Sequence, residues 1–407
     1  MTDFKGKCVL KRPTTGSFEL IKNINVSCIL NTIRENEMIS RAEIARLTGL
    51  TPATVSNITA ELLSLHIIEE RARGESSGGR KPVILSIAKN AYSFAGVHIG
   101  TDMIEVALAD CDAEIKQIVR LPFKGRIDPE TAMDRVGRML ETVIGQSELP
   151  VTGIGVCVHG LVNSEEGISV FAPNLRWEHI PVGPILQERF HLPVYVENDV
   201  RAMTLAENWC GIARNVKDYV YLYIGPGIGG SIVLNNEIYK GSTGFAGEFG
   251  HSTIEPDGPL CTCGNHGCLQ AFASEDTVLN NYIGRVNDRQ PNLEYADLVD
   301  RAAAGEEAAL DEILKSVRYI GIEVGNIINA INPPLIVINA KFAKLGDRAM
   351  RVIREEVGRR AMKYAQNGTD IVFSGLGENA PIRGAATCIV RQMFASPRSF
   401  FLSGDVD

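Results

Sequence analysis

Between positions 244 and 270 the chain reads GFAGEFGHSTIEPDGPLCTCGNHGCLQ, in which a carboxylate, an imidazole and three thiols are interleaved with glycines. Glu248 and His251 are hydrogen-bonding groups suited to a polyhydroxylated ligand. His251, Cys261, Cys263 and Cys268 offer the nitrogen and sulfur donors of a closed, structural, tetrahedral Zn2+ site. Two of the cysteines are one residue apart, the third follows five positions on, and the histidine stands ten positions before the first. His266 is the alternative nitrogen ligand, and unligated thiols are the plainer reading. A metal site and a ligand site would share His251, one ring nitrogen on the metal and the other facing a hydroxyl, so that the metal fixes the tautomer.

Two further stretches could touch a ligand. In PVYVEND, Asn198 and Asp199 stand where a buried strand ends and a helix begins, the usual place for ligand contacts in open α/β sheets, although helix capping explains the same pair. Asn174, in the preceding loop, is open in the same way. In YIGPGIGGSIVLNNEIYKG, Gly225, Gly227 and Gly230 spell the dinucleotide fingerprint. The glycines lead into a hairpin turning at Asn235-Asn236 and not into a helix, so the fingerprint does not apply. A glycine loop between strands can cradle phosphate through backbone N–H groups, or be a plain turn.

These groups need a scaffold. At 407 residues the chain is too long for one core, and its composition, 45% hydrophobic and 22% charged, is that of a globular protein. No apolar run is long enough to span a bilayer and the N-terminus lacks a signal-peptide core, which leads to a cytoplasmic expectation with reduced cysteines and no membrane partner. The net charge is −8, yet residues 1–88 hold 12 Lys+Arg against 9 Asp+Glu, a balance of +3 that leaves −11 elsewhere. A mildly basic head on an acidic body suggests that only the head meets nucleic acid.

Within that head, FELIKNINVSCILNTI is expected to be a helix with Leu20, Ile24, Cys28, Ile29 and Ile33 on one face. Ser40 with Glu43 forms a capping box for a second helix whose Ile44, Ala45 and Leu47 point inward, and Gly49 ends it. Thr51, followed by Pro52, caps a third helix with an apolar stripe of Val55, Ile58, Leu62 and Leu63. Helix, glycine turn, helix is the helix-turn-helix plan, with a dimerising helical hairpin as the alternative. Thr51, Ala53, Thr54, Ser56 and Asn57 face outward, short enough to approach base edges. Two strands, IIEERAR and VILSI, flank a glycine-serine tip whose Arg80 and Lys81 would reach phosphate or a narrow minor groove.

The body is expected to fold as α/β. Residues 89–200 give two apolar strands around Gly100, Thr101 and Asp102, an amphipathic helix capped at Asp128, a buried strand into VHGLVN, a loop, and the PVYVEND strand with a helix on each side. Residues 201–407 give the glycine hairpin, the cysteine-rich loop, several long helices, the buried strands LIVINA and DIVF, and a closing helix opened by Gly384-Ala385-Ala386. Strand, hairpin, helix, strand is the layout of an actin- or hexokinase-like lobe.

Assembled in this way, the chain resembles the ROK family of repressors, open reading frames and sugar kinases, on the branch with a winged helix-turn-helix. The resemblance covers nearly the whole chain and rests on GFAGEFGH followed by CTCGNHGCLQ and on VEND. It implies a two-lobed actin/hexokinase-like body behind an N-terminal winged helix-turn-helix over 1–88, with lobes over 89–200 and 201–407 and a C-terminal helix packed back on the first lobe. It further implies that Asn174, Asn198, Asp199, Glu248, His251 and Gln270 bind sugar hydroxyls, Asp199 matching the kinases' general base. The family commonly has glutamate where Gln270 stands.

One departure is decisive. Where the kinases share a D-x-G-G-T pattern, GVHIGTDM puts His98 for the aspartate, Thr101 for the second glycine and Asp102 for the threonine. Phosphoryl transfer needs that turn to hold Mg2+-ATP, and an added carboxylate there would repel phosphates. VINAKFA also lacks the paired glycines that kinases set against adenosine. The resemblance therefore points to a sugar-responsive repressor, released or modulated by a sugar or sugar phosphate in the cleft between the lobes and binding operator DNA as a homodimer or tetramer, not an enzyme; the alternative is an ATP-dependent sugar kinase carrying a DNA-binding head.

Overall fold

The computed structural model describes residues 18–71, 83–286 and 293–401. It divides into two compact units, Met1–Ala91 with Arg391–Asp407, and Tyr92–Val390.

In the first unit, α1 (Phe18–Asn36) is followed by β1 (Ile39–Ser40), α2 (Arg41–Thr48), α3 (Pro52–Ser64), β2 (Ile68–Arg71) and β3 (Ile84–Ile87). The strands form an antiparallel sheet in the order β1-β3-β2. Local side chains set the boundaries. The Ser40–Glu43 capping box is formed, Gly49 takes φ +72° to close α2, and the Thr51 hydroxyl accepts the Thr54 N–H at the start of α3. The interior of α1 differs from expectation: Val26, Ile29, Leu30 and Ile33 are buried, while Leu20, Ile24 and Cys28 are exposed. At about 100° per residue these two sets lie on opposite sides of the helix, so they never shared a face. Leu47 is also exposed, and α2 packs through Ile44. Arg80 and Lys81 lie outside the described residues.

The second unit holds two five-stranded sheets. The first part of the chain supplies β4 (Ser93–Ile99), β5 (Met103–Ala109), β6 (Ile115–Pro122), α4 (Pro129–Gly145), β7 (Val151–Val158), β8 (Leu161–Asn163), β9 (Ile168–Ala172), β10 (Trp177–Ile180), α5 (Val182–Phe190) and β11 (Val194–Asn198). Its main sheet runs β11-β7-β4-β5-β6. The stretch read as a loop is an antiparallel three-stranded sheet, β10-β9-β8. Beyond α6 (Asp199–Cys210) come β12 (Tyr219–Ile224), β13 (Ile228–Leu234), β14 (Glu237–Ile238), α7 (Gln270–Ala273), α8 (Glu275–Val286), α9 (Tyr295–Ala303), α10 (Glu307–Ile331), β15 (Leu335–Ala340), α11 (Asp347–Arg360) and β16 (Asp370–Phe373). The second sheet runs β14-β13-β12-β15-β16. Each main sheet is thus a three-stranded antiparallel meander with two parallel strands added beside its first strand. Asn235 and Asn236, at φ +54° and +66°, make the tight turn from β13 to β14.

The closing helix spans Ala380–Ala395, so Gly384-Ala385-Ala386 lies inside it and does not open it. Pro381 in its first turn is compatible with that earlier start. Its small residues sit against the first sheet: a Cβ added at Gly155 would come 1.9 Å from the Ala385 carbonyl oxygen, and one at Gly96 3.1 Å from the Ala386 nitrogen. No helix among the described residues is long and apolar enough to cross a membrane.

Candidate functional site: a ligand pocket, a metal cluster and a recognition helix

The candidate ligand site begins where two parallel strands end together. β7 and β11 pair with Val158 opposite Asn198, which brings the next residue of each strand, His159 and Asp199, side by side. His159 Nδ1 lies 3.2 Å from Asp199 Oδ2, and its Nε2 lies 3.2 Å from the Asn174 side-chain nitrogen. Asp199 also accepts the Val200 N–H at 2.8 Å and the Asn198 side-chain N–H at 2.9 Å. Three of the expected sugar ligands, Asn174, Asn198 and Asp199, are therefore joined in one hydrogen-bonded chain through His159. Burial alone would push the Asp199 carboxyl up, but the His159 hydrogen bond and charge outweigh it and hold the group below the usual range. For His159, burial works against the imidazolium, and Asp199 followed by Glu248 outweighs it to raise the pKa.

Asn198 also caps α6, accepting the Arg201 N–H at 3.0 Å, which meets the capping reading of this residue. Beneath it the buried Glu197 accepts from Ser164 at 2.9 Å and faces Arg201 and Lys240 at 3.7 and 3.8 Å. Arg201 in turn donates to the Gly244 carbonyl, tying the strand end to the loop that carries Glu248. Glu248 is exposed in front of a short 3-10 turn, Phe249–His251. The Gln270 Oε1 accepts the Ile228 N–H at 3.1 Å and its Nε2 donates to Thr262 at 3.3 Å, linking the glycine turn to the cysteine-rich loop.

In that loop the donor atoms of His251, Cys261, Cys263 and Cys268 all lie within 4.8 Å of one another, an arrangement that could hold a metal ion. Cys261 Sγ is 3.6 Å from His251 Nδ1, and Cys263 Sγ is 3.7 Å from Cys268 Sγ. Backbone bonds draw the loop tight, Cys261 N–H to Asn265 at 2.8 Å and Gly267 N–H to Pro259 at 2.9 Å. His266 is directed away from the cluster, its Nδ1 3.1 Å from the Gly258 carbonyl oxygen.

Side chains of the flanking strands lie beside both glycine turns. His98 pairs across β4 and β5 with Glu105 at 2.9 Å, and Arg120 holds the other oxygen of Glu105 at 2.8 Å. Burial pushes Glu105 up, and these two partners pull it below its ordinary range. The His98 ring lies over the first turn, 3.0 Å from where a Gly100 Cβ would stand. The Tyr223 hydroxyl lies beside the second, 2.4 Å from the corresponding position at Gly225. Burial, with the nearby carboxylates of Glu275, Asp199, Asp102 and Glu105, pushes the Tyr223 hydroxyl well above its usual range.

In the first unit α3 buries Val55, Ile58, Thr59 and Leu62 and leaves Thr51, Ala53, Ser56 and Asn57 exposed, with Thr54 half-buried. The outward set expected to approach DNA is on one accessible face. Arg41 braces the helix from behind, bonded to Thr59 at 3.0 Å and to Glu70 at 3.0 Å.

Sequence reasoning missed His159, Glu197, Arg201 and Lys240. A signal for His159 existed: it follows an apolar strand as Asn198 ends one, and the ends of adjacent parallel strands share one edge of the sheet.

Comparison with known proteins agrees with this anatomy. The ROK family model matches residues 94–392, and a winged helix-turn-helix DNA-binding model matches residues 29–69. A xylose repressor of Caldicellulosiruptor bescii is 33% identical over 395 residues, 94% of this chain and 99% of that one. An N-acetylglucosamine repressor of Escherichia coli O157:H7 is 27% identical over 388 residues, 93% and 95% of the two chains. The crystal structure of a ROK family transcriptional regulator described as a homologue of the E. coli MLC protein superposes with a TM-score of 0.82 at 28% identity, covering 92% of this chain and 97% of its own.

Proposed function

The chain belongs to the ROK family, and on that premise we propose that it is a sugar-responsive transcriptional repressor whose winged helix-turn-helix reads operator DNA as a homodimer or tetramer in the cytoplasm. The α3 face reads base edges, and Arg80 and Lys81 add phosphate or minor-groove contacts. The effector is a sugar or sugar phosphate bound by Asn174, Asn198, Asp199, Glu248, His251 and Gln270, to which we add His159. Sugar releases DNA by binding one state of the body more tightly than the other, since only differential affinity moves such an equilibrium.

What supports this reading over a kinase is the pairing of the chain with named repressors and a transcriptional regulator along nearly its whole length, together with the first turn, where His98 stands in place of the kinases' aspartate and is bonded to Glu105 at 2.9 Å. Zinc is the metal we assign to the cluster. A tetrahedron built from zinc bond lengths has edges of about 3.8 Å between sulfurs and about 3.6 Å between sulfur and nitrogen. The separations of 3.7 and 3.6 Å fit that geometry. With Nδ1 on the metal, His251 keeps Nε2 for a ligand hydroxyl, and the ion serves to hold the loop that carries Glu248 and His251.

The test is an electrophoretic shift with the chain's own upstream region, titrated with pentoses, hexoses and acetamido sugars. Binding that one sugar relieves supports the reading, and no binding at moderate salt sinks it. A coupled ATPase assay on the same panel covers the kinase alternative, since turnover lost in Asp199→Ala would replace the repressor reading.

A further inference from the structure

We propose that Arg201 is a positioning residue of the sugar site: by holding the Gly244 carbonyl it fixes where the Glu248 carboxylate stands relative to Asp199, and so sets how tightly a sugar is bound. This rests on the sugar-effector reading above and gives a role to a residue outside the set that binds the hydroxyls. Glu248 is exposed, and its side chain makes no capping bond at the turn it precedes. Its place therefore follows the backbone that leads to it. That backbone is rich in freedom, because Gly241, Gly244 and Gly247 stand at φ +70°, +88° and +101°, where glycine is at ease and other residues are not.

Among the described residues, the side-chain hydrogen bond that reaches the backbone of residues 241–247 comes from Arg201. Arg201 is itself well aimed. Its own N–H is taken by Asn198, and its guanidinium, 9% exposed, lies 3.7 Å from Glu197. Glu197 is fixed in turn, accepting the Asn198 N–H at 2.9 Å on one oxygen and Ser164 at 2.9 Å on the other. The planar fork of arginine serves both partners at once, one nitrogen towards Glu197 and another on the Gly244 carbonyl. Lys240, at the neck of the same loop, also faces Glu197 at 3.8 Å, and the Ala246 N–H closes the loop on the Lys240 carbonyl at 3.3 Å.

At its far end the loop meets β13, where a Cβ on Gly247 would come 2.3 Å from the Gly230 carbonyl oxygen. The segment ahead of Glu248 is thus held at two points, one on β13 and one on α6, the helix that begins with Asp199. The first point relates Glu248 to its own sheet. The second relates it to Asn198 and Asp199, some 50 residues earlier in the chain, and a sugar that touches both segments needs that spacing set in advance. Without Arg201 the ligand has to order the loop itself, and that cost is subtracted from its affinity.

Isothermal titration of the full-length, metal-loaded protein tests this. The probe is the tightest binder from a panel of aldopentoses, aldohexoses, their acetamido derivatives and the corresponding phosphates, measured on wild type, Arg201→Ala, Glu248→Ala and the double variant. Glu248→Ala should weaken the probe about tenfold or more, the loss of a hydrogen bond to a charged group. Arg201→Ala should weaken it about three- to tenfold when Glu248 is present and less than about twofold when it is not, because the arginine acts through the carboxylate. A purely structural role would cost the same in both backgrounds. Equal losses, no loss in either, or a Glu248→Ala protein that binds like wild type would each overturn the inference and leave a sugar effector standing. Should Arg201→Ala fail to fold, with Glu197 left facing Lys240 alone, the same cycle is run with Glu197→Gln in all four proteins, which removes the unmatched charge. If no member of the panel binds the wild type, the effector reading falls and takes this inference with it.

Discussion

Replacing His159 by alanine removes the group that keeps Asp199 charged beneath the protein surface. Asp199 is 7% exposed, and the substitution takes away one of its three donors, leaving Val200 N–H and the Asn198 amide at 2.8 and 2.9 Å. Deleting one member of a buried pair commonly costs about 3–5 kcal/mol. Two donors remain and the imidazole side chain is itself 29% exposed, so the expected loss is smaller, about 2 kcal/mol, the worth of a hydrogen bond to a charged group. The pH dependence follows from the two shifts. His159 is raised, so its contribution is complete below the unfolded value of about 6.5 and fades as pH rises through the folded value. Asp199 is lowered, so its contribution is complete above about 4 and fades as pH falls through the folded value. The pair is therefore worth most between about pH 4 and 6.5. Urea unfolding of wild type and His159→Ala at intervals from pH 5 to 8.5 should give a stability difference near 2 kcal/mol at pH 5.5. It should fall towards about 1 kcal/mol at pH 8.5, where a neutral donor remains. Other titrating groups are common to both proteins and cancel in the difference. A difference that is the same at both ends would refute the ion pair.

Asn57→Ala should weaken binding to the cognate operator by about 1–3 kcal/mol and leave random-sequence DNA within about twofold, as fluorescence anisotropy would read; equal losses on both would place Asn57 on the backbone. Cys263→Ser should lose bound metal by elemental analysis and abolish release of DNA by sugar while DNA binding persists, and retained metal with a normal response would remove the cluster from the mechanism. Gly155→Ala places a methyl 1.9 Å from the Ala385 carbonyl oxygen, so the closing helix must shift; a loss of about 1–3 kcal/mol is expected, and an unchanged Tm would mean the helix does not sit so close.

What the sequence disclosed was what neighbours in the chain enforce. The Ser40–Glu43 box, the Thr51-Pro52 start, the Asn235-Asn236 turn and the Cys261, Cys263, Cys268 spacing all act within a dozen residues, and the structure forms each of them. The outward set of α3 was legible for the same reason, since helical periodicity alone separates it from Val55 and Ile58. His159 was not legible, because its partner stands 40 residues away and only the pairing of β7 with β11 brings them together. The Glu197 cluster depends equally on Lys240 and the loop at Gly244. Leu47 and Leu20 were misplaced because an apolar side chain says that a face is wanted, not that the fold supplies one. The β8–β10 sheet, rich in turns and short strands, carried too little periodicity to be separated from a loop.

Helix α6 has a practical consequence. It starts with Asp199 in the proposed ligand site and, over 12 residues and about 18 Å, runs to Cys210; Trp209, in its last turn, donates its indole N–H to the Cys111 carbonyl at 3.1 Å. One turn from its end, the buried Glu207 is fastened to Ser374 just beyond β16. A helix held at both ends by polar bonds moves as a rod, so a ligand that displaces Asp199 also disturbs the surroundings of an indole far from any sugar. The chain has two tryptophans, and the other, Trp177, is sealed in the first lobe with its indole bonded to the Ile127 carbonyl. Trp177→Phe would leave a protein whose entire tryptophan emission comes from the far end of that rod, making pocket occupancy readable by light without a label.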